Sequence, residues 1–352
     1  MSLGSLLAAS EPDLSPGEEA VVCVAVATMW ASPGRVRPVD APAVGVPARA
    51  RSWIMEMSDQ DRADLDGRTL TQLLLGERVR VLQMVTATNE LTPYGALWAQ
   101  VVALSQPSSL DPRGYPGWIP LDQLSSLGGI HVAGVRVAAR HRSDGVGDDR
   151  TGVLHVVEAT ATTLRDDPDG ALVVPGVTLG TRLIASGAPH DGWVPVAVPG
   201  RFEPAWAIEH DLVPVPPTPP EDHAEVLAMA DRLREVPYVW GGVCAYGVDC
   251  SGLVHLAWRR FGVTLPRDAH DQAAATTQIP LGQERPGDLY FFARPGQRVH
   301  HVGFVADRPV GDTRVILHAC ARAGMVVVEE LTGERAETLT GAHRMTGGVA
   351  GF

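Results

Sequence analysis

Along the first two-thirds of the chain, apolar residues come in short or alternating runs: Val21 to Ala27, Arg78 to Val85, Leu97 to Leu104 and Leu154 to Ala159. Gly, Pro, Asp and Ser separate them, a pattern that predicts strands joined by turns and hence an all-β region. After residue 213 the period changes. Within Glu221 to Glu235, Val226, Leu227, Met229, Ala230 and Leu233 fall at helical spacing,. A second helix is predicted over Ser251 to Phe261, where Leu253, Val254, Ala257, Trp258 and Phe261 form an apolar stripe and Gly262 supplies the stop,. Strands are predicted next at Asp288 to Phe292, His301 to Ala306, Arg314 to His318 and Met325 to Glu330. Helices first and an antiparallel sheet after make this last region α+β.

The proline-rich stretch from Val213 to Pro220 separates the two regimes, because prolines fix φ, remove donors and favour an extended spacer,. Ahead of it lies a weak internal repeat. LLLGERVRVLQMV, followed by GYPGWIPLDQL, is matched by GVTLGTRLIASG, followed by DGWVPVAVPGR, and each copy puts a strand after a Gly and a Gly-Trp pair before the next strand. The spacing is similar to that of bacterial SH3-like domains, with Arg35 to Arg68 as an insertion in the first copy. The expected organisation is an SH3-like domain over 1–127, a second over 128–213, a linker over 214–220 and an α+β domain over 221–352.

The chain has 352 residues, 45% of them apolar, enough to bury several cores,. Its net charge of −12 argues against nucleic acid or an anionic membrane as partner, since both call for concentrated positive charge,. No apolar run reaches the roughly 18 residues of a membrane span, and the N-terminus lacks the features of a secretory signal, so a cytoplasmic protein is expected. Four scattered cysteines, Cys23, Cys244, Cys250 and Cys320, suit reduced thiols better than a disulfide framework,.

Cys250 falls between the turn Trp240-Gly241-Gly242 and the first turn of a predicted helix. Free N–H groups and the helix dipole favour an anion there, so the thiol pKa is expected to be lowered and an oxyanion to be stabilised. The alternative is a small buried hydrophobe. In Val299 to Phe304, His300 and His301 must point to opposite faces of a strand, and His301 shares its face with Gly303, so His301 is expected to face the helix and act as base. His318, on the neighbouring strand, is placed to orient that imidazole. A zinc site from Cys244, Cys250, His301, His318 and Cys320 lacks any Cys-x-x-Cys or His-x-x-x-His pair, so no metal is expected.

Five fragments occur in one order: Tyr238-Val239-Trp240-Gly241-Gly242, Asp249-Cys250-Ser251-Gly252, Leu265-Pro266-Arg267, Pro286-Gly287-Asp288-Leu289 and His301-Val302-Gly303. Together they resemble the NlpC-type, papain-like cell-wall cysteine peptidases over residues 221 to 352. The resemblance implies Cys250 as nucleophile, His301 as base, His318 as the third polar residue and Tyr238 near the oxyanion site. It also implies hydrolysis of the γ-D-glutamyl-L-diamino acid bond of peptidoglycan stem peptides. In a subset with SH3-like domains, free peptides beginning with L-Ala are trimmed. There the residues flanking the cysteine, here Asp249 and Ser251, hold the ammonium, and a glutamate and a tyrosine of the first SH3-like domain close the cleft, for which Glu77 and Tyr115 are the candidates.

The expected function is thus a cytoplasmic cysteine endopeptidase of murein peptide recycling, without a cofactor, acting on L-Ala-γ-D-Glu-diamino acid peptides. Rival expectations are an exported wall-remodelling hydrolase, a non-catalytic binder of wall fragments, and an amide-bond transferase that uses the same thiol chemistry.

Overall fold

The computed structural model describes residues 14–127, 152–311 and 313–346. The first boundary expected, between 127 and 128, and the start of the second β-module lie at or outside the edge of these residues. The first module is a seven-stranded sheet of β1 (Glu19–Val22), β2 (Val26–Trp30), β3 (Thr69–Leu74), β4 (Arg78–Ala87), β5 (Ala96–Ala103), β6 (Tyr115–Pro120) and β7 (Leu124–Ser126), in the order β3-β2-β6-β5-β4-β1-β7. On β4 the alternation is plain, Val79 and Val81 inward between half-exposed Arg78 and Arg80,. Strand β2 is buried throughout because it serves two cores. Ala27 and Met29 pack inside the module, while Val26 and Trp30 join the core of the C-terminal domain.

The expected insertion between β2 and β3 is helical, with α1 (Ala41–Val44), α2 (Ala50–Glu56) and α3 (Asp59–Ala63). It docks Trp53 and Ile54 into the C-terminal core. Asp40 is fully buried there, held by Arg37 on both carboxylate oxygens and by the Trp53 indole N–H at 2.9 Å,.

The second module has β8 (Leu154–Val157), β9 (Ala161–Arg165), β10 (Leu172–Thr178), β11 (Arg182–Ile184), β12 (Trp193–Val196), β13 (Ala205–Ile208) and β14 (Leu212–Pro214), in sheets ordered β10-β9-β13-β12 and β11-β8-β14. Gly76 and Gly180, matched in the repeat, both turn with φ of +82°,. The expected linker begins one residue late, because Pro214 still pairs with His155 in β14 and β8.

In the C-terminal domain, α4 (Ala224–Asp231) precedes the hairpin β15 (Val243–Cys244) and β16 (Gly247–Val248), then α5 (Cys250–Arg259) and α6 (Ala269–Ala274). The sheet comprises β17 (Thr277–Ile279), β18 (Leu289–Phe292), β19 (His301–Val305), β20 (Val315–Cys320), β21 (Met325–Glu330) and β22 (Leu339–Arg344), ordered β17-β22-β18-β19-β20-β21, with α7 (Gly333–Glu337) before the last strand. Neighbouring strands run antiparallel. All ten residues of α5 are buried, since the sheet, α4 and β15 pack on it and Glu77 of the first module pairs with Arg259 at its end,. Its start fits only because residue 252 is glycine, as a Cβ there would lie 2.0 Å from the Gly242 carbonyl oxygen.

Candidate active site

Cys250 opens α5 and is 8% exposed. Asp249 caps the helix, accepting the Gly252 N–H at 2.7 Å, and also accepts the Gly241 N–H at 2.9 Å,. Arg267 grips both oxygens of the same carboxylate, at 3.0 and 2.5 Å, and donates further to Ser251 Oγ and to Thr71 Oγ1 of β3. The guanidinium thus ties the cysteine turn to the first module. Burial pushes the Cys250 thiol up to about 12, reinforced by the Asp249 charge and opposed by the Val302 N–H, Arg267 and the Ser251 N–H. The lowered thiol pKa expected from the helix N-terminus is therefore overturned: desolvation outweighs the dipole, and Asp249 occupies the cap.

His301, also 8% exposed, starts β19. The strand face that packs on α5 carries Val302 and Phe304, so His301 belongs to the opposite face and reaches the cleft from the end of the strand, contrary to the expected orientation. Gly303 makes room beside it, because a Cβ there would meet His318 Cβ at 2.7 Å. His301 Nε2 lies 2.7 Å from His318 Nδ1, and His318 Nε2 lies 3.2 Å from Glu329 Oε1. A carboxylate accepts, so the consistent tautomers have His318 Nε2–H donating to Glu329 and His301 Nε2–H donating to His318 Nδ1. This leaves His301 Nδ1 with a free lone pair. Burial, then His318, Arg335 and His300, hold His301 well below its ordinary value. Burial, then Arg335 and Arg322, lower His318 to about 3. Near neutrality the site therefore offers a neutral thiol and a neutral imidazole relay.

These groups open on a cleft of about 700 Å³ that both Cys250 and His301 line. Tyr238 lines it too, its hydroxyl raised above its ordinary value chiefly by burial and further by the Asp249 carboxylate. Tyr115, from β6, reaches the cleft and donates to Asp268 Oδ1 at 3.4 Å. The Asp268 carboxyl is raised by burial, against the pull of Arg267 and with the push of Asp249. Asp66 of the first module also lines the cleft, as do Arg294, Arg298, Arg322 and Arg335 from the loops and helix at one end of the sheet.

Of the residues expected from sequence, the structure brings together Cys250, His301, His318, Tyr238, Asp249, Ser251 and Tyr115. Glu77 is corrected. It is buried beside α5, in an ion pair with Arg259 at 2.9 Å and accepting Ser105 Oγ at 2.5 Å, and it is not among the cleft-lining residues. Arg259 also donates to the Gly180 carbonyl, so this carboxylate fixes the modules to the helix instead of meeting a ligand. Asp249 lines the cleft, but its carboxylate already has a bidentate counterion. Glu329, Asp268 and Asp66 were not anticipated. For Glu329 a signal existed in strand parity, since Glu329 and His318 stand on one face of paired strands.

The sequence signature of the NlpC/P60 family matches residues 235–344. The chain is 31% identical over 287 residues to the gamma-D-glutamyl-L-lysine dipeptidyl-peptidase of Bacillus subtilis (strain 168), covering 80% of this chain and 85% of that protein. It is 25% identical over 335 residues to the Bacillus cereus protein of the same name, covering 93% and 90%. A crystal structure of an NlpC/P60 family protein from Bacillus cereus superposes with a TM-score of 0.76 at 25% identity, over 93% of this chain and 99% of that one.

Proposed function

The chain belongs to the NlpC/P60 family and is a cysteine peptidase, and from that premise we propose that it cleaves the γ-D-glutamyl-L-diamino acid bond of free peptides beginning with L-Ala. The observation that carries this reading is one cleft lined by Cys250, by His301 with its His318 relay, and by the Tyr115–Asp268 pair, Tyr115 coming from the first β-module. An acidic, partly buried carboxyl beside a phenol suits a peptide ammonium, while the arginines at the sheet end suit the carboxylates of a diamino acid.

In the proposed mechanism Cys250 Sγ attacks the γ-carbonyl as its proton passes to His301 Nδ1. Because the resting thiol is protonated, proton transfer accompanies attack. The Tyr238 hydroxyl and the first free N–H groups of α5 receive the oxyanion. His301 then gives the proton to the leaving amine as the C–N bond breaks, leaving a thioester. Water, deprotonated by His301, hydrolyses that thioester and restores the thiol. His318 and Glu329 are positioning residues that keep His301 Nδ1 free of hydrogen.

The two β-modules are proposed as SH3-like barrels that shape the cleft, supported by the repeat and its matched Gly76 and Gly180 turns. A cytoplasmic recycling role goes with this reading, and faster cleavage of intact sacculi than of free peptide would contradict it. Asp268→Asn should raise KM for L-Ala-γ-D-Glu-meso-diaminopimelate about tenfold, the worth of one charge-assisted contact. It should leave residual turnover of the N-acetylated peptide unchanged. Equal losses on the two peptides would remove amine recognition from Asp268.

A further inference from the structure

His318 and Cys320 stand two residues apart on β20, and Glu329 is the diagonal neighbour of His318 on β21, so the three side chains leave one face of the sheet together,. One imidazole nitrogen, one sulfur and one carboxylate oxygen lie within 4.8 Å of one another. The nitrogen aimed at the cluster is His318 Nε2, since Nδ1 is taken by His301. His318 and Cys320 are fully buried, whereas the Glu329 side chain is 30% exposed and gives a way in. Cys320 Sγ already accepts from the Arg335 guanidinium at 3.7 Å, and Arg322 stands 3.8 Å from Glu329.

We propose that His318, Cys320 and Glu329 form a site for a thiophilic divalent cation such as Zn²⁺, and that its occupancy switches the peptidase off. Bond lengths to zinc of about 2.0 to 2.3 Å put donor atoms roughly 3.2 to 3.8 Å apart, so only small side-chain rotations are needed. The exposed side leaves a fourth position for water. A thiolate and a carboxylate neutralise the ion, and Arg335 swings away from the sulfur.

The inhibitory effect follows from the proton positions. The working relay needs hydrogen on His318 Nε2, but a metal needs the lone pair of that same nitrogen. A neutral His318 bound through Nε2 carries its hydrogen on Nδ1 and donates it to His301 Nε2. His301 must then hold its own hydrogen on Nδ1, the nitrogen that accepts the thiol proton. The base is capped without any ligand touching Cys250.

This rests on the reading of Cys250 and His301 as the reacting pair, so binding and turnover are tested apart. Full-length Cys250→Ala, which lacks the reacting thiol, is titrated with Co²⁺ and followed by sulfur-to-cobalt charge-transfer absorption, then by Zn²⁺ competition. A one-to-one band that Zn²⁺ displaces, and that Cys250→Ala/Cys320→Ser lacks, is the expected result. A band unchanged in the double variant, or none in Cys250→Ala, overturns the site. In parallel, Cys320→Ser in the otherwise native chain should hydrolyse peptide in chelator and need at least about tenfold more Zn²⁺ for half-inhibition. Unchanged Zn²⁺ sensitivity would assign inhibition to Cys250 and His301 and overturn the switch. Thermal denaturation of Cys320→Ser establishes that it is folded, and Cys320→Ala serves if it is not.

Discussion

Replacing Arg267 by methionine should cost the C-terminal domain about 3 to 5 kcal/mol, because it strands the Asp249 carboxylate in a site where that residue is only 7% exposed,. Asp249→Asn keeps the capping oxygen over Gly252 but strands the guanidinium of Arg267, which is only 1% exposed, at a similar cost,. The double variant removes both charges and leaves space filled by a side chain of similar length, so it should be no worse than the poorer single variant. The coupling is then about 3 kcal/mol or more, well above the scatter of independent sites. Urea unfolding followed by tryptophan fluorescence reads this directly, since Trp258 is on α5. With a slope of about 2 to 3 kcal/mol per molar, each single variant should lose roughly 1 to 2 M in midpoint. Additive losses in the double variant would refute the view that the two charges exist in the core only as a pair.

Iodoacetamide alkylation of Cys250, taken as the difference from Cys250→Ala, should be slow at pH 7 and should keep climbing about tenfold per pH unit beyond pH 9, because burial raises the thiol toward about 12,. A plateau below pH 8 would show a preformed thiolate instead. His255 donates from Nδ1 to the Leu265 carbonyl at 2.8 Å and is lowered to about 3 by burial, then by Arg259 and Arg267. A histidine lowered on folding contributes stability that is intact above its ordinary value near 6.5 and is lost as pH falls toward 3, at up to about 1.4 kcal/mol per pH unit. Asparagine at 255 retains a donor for Leu265, so urea midpoints measured from pH 6.5 to 4.5 should fall less steeply in that variant. An identical slope would remove His255 from the acid response.

The β-modules, α5 and four strands of the last sheet were legible because burial on one face writes period 2 or 3.6 into the sequence. Strands β17 and β22 were not, since Gln278 and the Leu339–Arg344 segment carry polar residues without clear alternation. The helices of residues 41–63 escaped because they are short and gain their order from packing Trp53 and Ile54 against another domain,. In the site, the order of the five fragments located Cys250, His301 and Tyr238, and strand adjacency suggested His318. Local rules failed for the thiol pKa, because the helix dipole is visible in sequence whereas desolvation depends on what the fold places overhead. Glu77 failed for a related reason: a glutamate after a turn looks available, and only the fold supplies Arg259 to bury it.

The most direct test is mass-spectrometric digestion of L-Ala-γ-D-Glu-meso-diaminopimelate and its N-acetylated form by the native protein and by Cys250→Ala. Release of L-Ala-D-Glu from the free peptide, strongly reduced by acetylation and absent with Cys250→Ala, is the predicted result. Cleavage of neither peptide by folded native protein, or equal cleavage by Cys250→Ala, would contradict a thiol peptidase of free stem peptides.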